Sequence, residues 1–339
     1  MNTPAAAIRV SVVVPTYNNA LELGECLTAL RAAADAEVEL IVVDDASTDD
    51  VSSTAAYYGA HVLRLPWNSG PAAARNHGAR HARGEILFFV DADVVVAGDS
   101  IARVRSLFER RPEVVAVFGS YDANPRACGF VSQYRNLLHH FVHQAGNSEA
   151  STFWAGCGAI RRSVFEQVRG FDAQRFTRPS IEDIELGYRL RRAHYGIFLD
   201  KSLQCTHLKR WTLRSTILTD VGRRAIPWSR LMLESGQEAN DLNIQSGQRI
   251  CVALSALAGL LVAASPLRLE LLVPALACVA ATIIVNRSLY AFFWRVRGPF
   301  FAAACIPLHL LYFVCCGLSY AYVWAQSQLA TFNADGGSQ

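Results

Sequence analysis

From Arg249 onward the chain is dominated by three long apolar runs, ICVALSALAGLLVAAS, LELLVPALACVAATIIV and FFAAACIPLHLLYFVCCGLSYAYVW, and these constrain its fold more than anything else in its 339 residues. About 20 consecutive apolar residues cross a bilayer as a helix. The second and third runs meet that length, and the first is short but usable with its flanks. None shows the polar face of a helix lying on a soluble core. The reading is therefore a transmembrane region over 249–326, with spans at about 250–267, 269–286 and 299–325, and a tail at 327–339. Cytoplasmic loops carry the Lys and Arg excess, and Arg287, Arg295 and Arg297 fall between the second and third runs. Residues 1–248 are thus expected in the cytoplasm and the C-terminus outside, in a multi-pass protein of the cytoplasmic membrane.

The N-terminal MNTPAAAIRV has no apolar targeting core and leads directly into a strand-like segment. Five of the nine cysteines lie in the apolar runs, and Cys26, Cys128, Cys157 and Cys205 are scattered without CxxC pairing. Neither a structural zinc site nor a disulfide framework is suggested, which suits a reducing cytosol. The net charge of +3 is less informative than its distribution. Within 208–248, the stretch LKRWTLRSTILTDVGRRAIPWSRLML interleaves Arg and Lys with Trp, Leu and Ile, as in a segment lying among lipid headgroups. Nucleic acid also attracts basic and aromatic residues, but the adjacent spans make membrane lipid the partner and nucleic acid is not expected.

Residues 1–207 read as a cytoplasmic domain. Short apolar runs (VSVVVP, VELIVVDD, HVLRLP, EILFFVDAD, VVAVFGSY) alternate with helix-like stretches, the pattern of an α/β fold whose mainly parallel sheet is covered by helices on both faces. Ligands of such sheets sit beyond the carboxyl ends of the strands. Those ends carry the polar residues Pro15 to Asn18, Asp44 and Asp45, Asn68 to Gly70, and Asp91 and Asp93. An uncompensated buried carboxylate costs several kcal/mol, so the two in FFVDADVVV call for a cation. Further on, FWAGCGAIRRSVF reads as a strand entering a short helix, and IEDIELGYRLRRAHYG as an amphipathic helix with Glu182 and Asp183 in its first turn.

VSVVVPTYNN, VVDDAS, WNSGPAAARNHGA, DAD, GCGAIRRSVFEQVRGFD and IEDIELGYRL occur in one order and spacing over about residues 9–215. In this the chain resembles a family 2 glycosyltransferase. The resemblance implies the nucleotide-diphospho-sugar transferase (GT-A type) fold and inverting sugar transfer from a UDP-, GDP- or similar donor, with Mg2+ or Mn2+ as cofactor.

Carried onto this sequence, the family pattern makes Asp93 the metal ligand, with Asp91 on the ribose or sharing the metal. Pro15, Thr16 and Tyr17 resemble the nucleobase loop, Asp45 the acceptor for the base ring N–H, and Asp44 a neighbour of the ribose, with helix capping as its alternative. Gly70 and Arg75 belong to the segment near the phosphates or sugar. Asp183 takes the place of the base that accepts the acceptor's proton. Glu182 is explained equally by the helix dipole. Trp154, Gly156 and Cys157 fall where acceptor or donor sugar would rest, and a buried core Trp is the alternative for Trp154.

HLKRW, with His207, Arg210 and Trp211, is similar to the QxxRW motif of processive members, with His in place of Gln. His207 then approaches the metal or diphosphate, or is structural, and Arg210 approaches the diphosphate. His139, His140 and His143 contain an i, i+4 pair with metal-binding spacing, but no third ligand accompanies it. The expected function is transfer to a lipid-linked or membrane-associated acceptor in cell-envelope glycan or glycolipid synthesis. A processive polysaccharide synthase and a non-catalytic sugar-nucleotide-binding protein are the alternatives. Donor, acceptor and oligomeric state are not legible in the sequence.

Overall fold

The computed structural model describes residues 7–235, 242 and 245–336, with the side chains of 331–336 excepted. It falls into two compact units, 1–210 and 211–339. The boundary lies three residues beyond the expected end of the cytoplasmic domain.

The N-terminal unit is built on one eight-stranded sheet. In chain order its elements are β1 (Val10–Thr16), α1 (Ala20–Ala33), β2 (Val38–Asp44), α2 (Val51–Tyr57), β3 (His61–Arg64), α3 (Pro71–His81), β4 (Ile86–Val90) and β5 (Val94–Val96). There follow α4 (Ser100–Arg110), β6 (Val114–Tyr121), α5 (Phe130–Ala145), β7 (Cys157–Arg161), α6 (Arg162–Gln167), α7 (Glu182–Arg192) and β8 (Gly196–His207). The strand order is β3-β2-β1-β4-β7-β6-β8-β5. β3, β2, β1 and β4 are mutually parallel, and every residue of β1 is buried, as expected of a strand covered on both faces. Val10, Val12 and Val14 pack with Leu23, Leu27 and Leu30 of α1. On the other face α3 comes so close that a Cβ at Gly78 would lie 2.5 Å from Val13 Cγ1.

The expectation of a mainly parallel sheet is met, with two strands reversed: β3, β2, β1, β4, β6 and β8 run one way, and β7 and β5 run against them. β7 runs antiparallel to both β4 and β6, and β5 antiparallel to β8. The reversal at β5 begins at a turn. FFVDADVVV is two strands joined by Asp91-Ala92-Asp93, a turn closed by Val94 N–H donating to Asp91 O at 3.0 Å. The two carboxylates stop β4 because charge cannot continue into a dry sheet.

The C-terminal unit is helical: α8 (Leu213–Leu218), a π-helical turn (Thr219–Ala225), α9 (Ile226–Ser235), α10 (Ser246–Ala264), α11 (Leu272–Val285), α12 (Arg287–Arg297) and α13 (Pro299–Gly336). Thr212 and Ser215 form a reciprocal cap at the start of α8. The expected basic segment 208–248 thus becomes α8, α9 and the turn between them, although its residues 236–241 and 243–244 lie outside the described residues. In the expected tail, α13 continues to Gly336, and 337–339 lie outside the described residues.

Two helical stretches, Ser246–Ala264 and Pro299–Ala330, are each long and apolar enough to cross a membrane. The expected middle span differs. α11 has 14 residues, about 21 Å at about 1.5 Å per residue, short of the roughly 30 Å of hydrocarbon. It reaches a span's length only together with α12, from which it is bent by 69°. Asn286, buried at the bend, donates from Nδ2 to Thr282 O at 2.9 Å and to Cys251 Sγ. Arg287, Arg295 and Arg297 lie on α12, an amphipathic helix that buries Leu289, Tyr290 and Phe293. Within this unit a cavity of about 720 Å³ is lined by Trp228, Met232, Arg249, Ser255, Leu260 and Phe313, among others.

Candidate active site

β1, β2 and β4 end side by side, so Thr16, Asp44 and Asp91 open on one edge of the sheet. The Thr16 carbonyl accepts from Asp45 N–H at 2.9 Å. Its Oγ1 is buried with no hydrogen-bond partner among the described residues. Tyr17 is 49% exposed. Asn18, in the left-handed region at φ 50°, accepts from Thr48 N–H at 2.7 Å and so ties this loop to the one after β2.

The two aspartates that end β2 serve different loops. Asp44 accepts from Ser47 N–H at 2.8 Å and Ser52 Oγ at 2.9 Å, and pairs with Arg64 at 2.6 Å. Burial works to raise its carboxyl, but these donors outweigh it and hold the group below the ordinary carboxylate range. Its side chain is wholly buried, and in these contacts it clasps the following turn, in line with the capping alternative. Asp45 accepts from Ser69 N–H at 2.7 Å and Gly70 N–H at 2.8 Å, fixing the loop that leads into α3. Gly70 is required there. Its φ is +87°, and a Cβ would come within 2.5 Å of the Thr177 carbonyl oxygen.

The Asp91–Asp93 turn meets two cationic groups. Arg75, 5% exposed on α3, reaches Asp91 Oδ1 at 2.7 Å and Glu182 Oε1 at 2.9 Å. Burial opposes its charge, yet Asp91, Glu182 and Asp183 together raise its pKa further. Arg75 is thus a buried brace between the strand-end turn and α7. Glu182, bound by Arg75 and by Ser180 N–H at 2.9 Å, is likewise occupied within the protein. Asp93 faces His207 at the end of β8, with Nε2 3.4 Å from Oδ2. Burial would raise the Asp93 carboxyl, but His207, with Lys209, lowers it.

Asp183 completes the set. It is half-buried in the first turn of α7, and its Oδ2 accepts from Ala155 N–H at 3.2 Å. Burial pushes its carboxyl up to about 6, the charge of Glu182 adds to the rise, and Arg75 opposes it. The next residue, Gly156, accepts from Asp91 N–H at 3.1 Å. Ala155 and Gly156 therefore pin the α7 carboxylate and the strand-end turn to the same short segment.

Trp154 joins an aromatic cluster, with ring centroids 4.9 Å from both Tyr121 and His139. A Cβ at Gly156 would meet its indole at 2.7 Å. Cys157 is a fully buried core residue of β7, in one apolar cluster with Cys26 and Cys205. His140 and His143 hydrogen-bond through Nδ1 to the β6 carbonyls of Tyr121 and Gly119, at 2.6 and 2.9 Å, which accounts for the histidine run. Arg210 and Trp211 stand at the division of the two units.

Sequence reasoning missed several groups. Arg64 is the partner of Asp44, and Asn76 clamps the backbone of Phe171 through both ends of its amide, at 2.7 and 2.9 Å. Glu185 takes Arg189 in a two-pronged pair at 2.7 and 2.8 Å. Only the last carried a signal, the helical i, i+4 spacing.

Among the described residues no group of three His, Cys, Asp or Glu side chains is placed to enclose a metal ion. Of the expected ligands, Asp91 is paired to Arg75 and Asp93 faces His207. One carboxylate and one imidazole fit a divalent cation whose remaining ligands are phosphate oxygens and water.

Residues 11–169 match the sequence profile of Glycosyl transferase family 2. The chain is 31% identical over 220 residues to the pre-mycofactocin glycosyltransferase of Mycobacterium tuberculosis, covering 61% of this chain and 44% of that protein. It is 26% identical over 175 residues to the undecaprenyl-phosphate 4-deoxy-4-formamido-L-arabinose transferase of Sodalis glossinidius, covering 49% and 53%. The chain thus spans about half the length of these curated relatives. Among solved structures, the mannosyltransferase PcManGT of Pyrobaculum calidifontis, in complex with GDP-Man and Mn2+, superposes with a TM-score of 0.58 at 20% identity over 94% of this chain and 88% of that one. At that identity the likeness concerns the fold.

Proposed function

Residues 11–169 belong to glycosyl transferase family 2, and from that premise we propose that the protein is an inverting, metal-dependent glycosyltransferase acting on a lipid-linked acceptor. The donor is a sugar nucleotide laid across the ends of β1, β2 and β4. Tyr17 packs on the base, Asp45 and the buried Thr16 hydroxyl receive it, and Asp91 positions the ribose. Asp93 and His207 hold a divalent cation, which when bound supplies Lewis-acid neutralisation of the departing diphosphate. Asp183 accepts the proton of an acceptor hydroxyl. Its carboxyl, raised to about 6, is basic enough to take that proton and still ionised at neutral pH.

The observation that carries the reading is the linkage through residues 155 and 156: Ala155 N–H holds Asp183, and Gly156 O holds the Asp91 turn. A base is thereby fixed relative to the strand-end aspartates, which a module that only binds nucleotide would not need. The lipid-linked acceptor is supported by the apolar helices and by the 720 Å³ cavity, whose size suits a lipid chain. Arg223, Arg224 and Arg230, which precede α10 in the chain, support a cytoplasmic catalytic unit.

The test is transfer from a panel of UDP- and GDP-sugars into membrane lipid extract, with and without Mn2+. Transfer that is metal-dependent and lost in Asp93→Ala supports the reading; binding without turnover across the panel refutes it. For sidedness, the exposed Cys128 is expected to react with a membrane-impermeant maleimide only after cells are opened. Labelling in intact cells would place the catalytic unit outside.

A further inference from the structure

His207 is held on three sides. Its ring stacks on Tyr121 with centroids 4.6 Å apart and planes 10° from parallel. Nε2 faces Asp93, and Nδ1 lies 2.8 Å from Oδ1 of Asn136. Asn136 is 2% exposed and belongs to α5, a helix in which no motif marked it. Its own Nδ2 is buried with no partner among the described residues. A buried amide that leaves a donor unsatisfied is costly, so a role for its oxygen is needed to explain its presence.

We propose that Asn136 is a positioning residue for the cation site. By accepting from Nδ1–H it holds His207 in the tautomer whose Nε2 lone pair is turned toward Asp93. The pair then offers one nitrogen and one carboxylate oxygen to the same ion. The spacing fits this use. At 3.4 Å the Nε2–Oδ2 gap exceeds the roughly 2.7–2.9 Å of a charge-assisted hydrogen bond. Two donors on neighbouring octahedral positions, each about 2.1 Å from one cation, lie about 3.0 Å apart, so a shift of about 0.4 Å would bring the pair onto one ion. Metal-bound histidines commonly give their other ring N–H to a fixed acceptor, and loss of that acceptor costs about 10–100-fold in metal affinity. The reverse orientation of the amide would put Nδ2 against Nδ1, force the proton onto Nε2 and remove the lone pair from the site.

This inference rests on the proposed reading of Asp93 as a cation ligand. It is tested with the full-length protein in detergent, titrated with Mn2+ in the presence of UDP or GDP while free Mn2+ is followed by electron paramagnetic resonance. Asn136→Leu is expected to weaken Mn2+ binding about 10–100-fold. His207→Ala should weaken it to a similar extent, and the double variant no further. Asn136→Asp keeps an acceptor on Nδ1 and should bind Mn2+ as the unaltered protein does. Nucleotide binding measured without Mn2+ shows that each variant is folded. Unchanged Mn2+ affinity in Asn136→Leu, or an equal loss in Asn136→Asp, overturns the role of Asn136. If Asp93→Ala binds Mn2+ as tightly as the unaltered protein, the cation site itself fails. If Asp93→Ala is weakened and Asn136→Leu is not, only the present inference fails.

Discussion

The two units treat charge and apolar surface in opposite ways. In the N-terminal unit Arg75 and Glu182 are buried as an ion pair, and Asp44 is buried against Arg64. In the C-terminal unit Leu260 and Leu318 are 69% and 67% exposed. A fold whose solvent is water gathers most of its leucines into a core and can tolerate a buried charge only when it is paired. A helix whose solvent is hydrocarbon satisfies its backbone internally and turns leucine outward. The N-terminal unit follows the first rule, and α10 and α13, each with a stretch long and apolar enough to cross a membrane, carry the surface that the second describes.

The sharpest way to probe the N-terminal side is Asp183→Asn. Transfer to a hydroxyl acceptor should fall by about 10²–10⁴, with little change in the unfolding temperature; substantial residual transfer would remove Asp183 as the base. In the unaltered enzyme the base works deprotonated, so kcat/KM should rise with pH up to about 6 and level off above it. A profile flat through that region would contradict the role.

Breaking a buried pair comes next. Arg75→Met leaves Asp91 and Glu182 without their cation and should cost about 3–5 kcal/mol in denaturant unfolding. Adding Glu182→Met should recover part of that loss. The contrast with the C-terminal unit is tested by placing the same residue on each surface. Leu260→Arg in α10 should cost about 2.5–3.5 kcal/mol if it faces the middle of a bilayer, read as reduced membrane insertion. Leu21→Arg in α1, at a position 78% exposed, should stay within about 0.5 kcal/mol. Equal tolerance at both positions would mean that α10 does not face lipid.

A further loss concerns packing. Gly78→Ala sets a Cβ against Val13 and should cost about 1–3 kcal/mol, with part of the loss relieved by Val13→Ala. The unfolding midpoint of the double variant against the single one reads this directly.

Much of the architecture was legible along the chain. The apolar strand runs, the order of the polar strand ends and the aspartates of the DAD turn all appear as pattern, since alternation and hydrophobicity are local properties. The reversal after β4 was not, because whether VVV continues a strand or turns back depends on its pairing with β8, more than a hundred residues away in sequence. The bend at Asn286 escaped notice for a related reason: hydropathy adds α11 to its neighbours and is blind to direction.

At the site, residue type identified the carboxylates, but their employment came from contacts. Asp44 and Asp45 are adjacent in sequence, yet one clasps the turn after β2 and the other holds the loop before α3. By itself the sequence determined which residues are candidates and which segments require hydrocarbon or water, because those follow from composition and spacing. The tertiary structure alone decided which charges are spent on one another. Arg75 is committed to Asp91 and Glu182, while Asp93 is set opposite His207 and Asp183 is raised by burial. Coulomb energy and desolvation depend on distances through space, and no position along the chain records them.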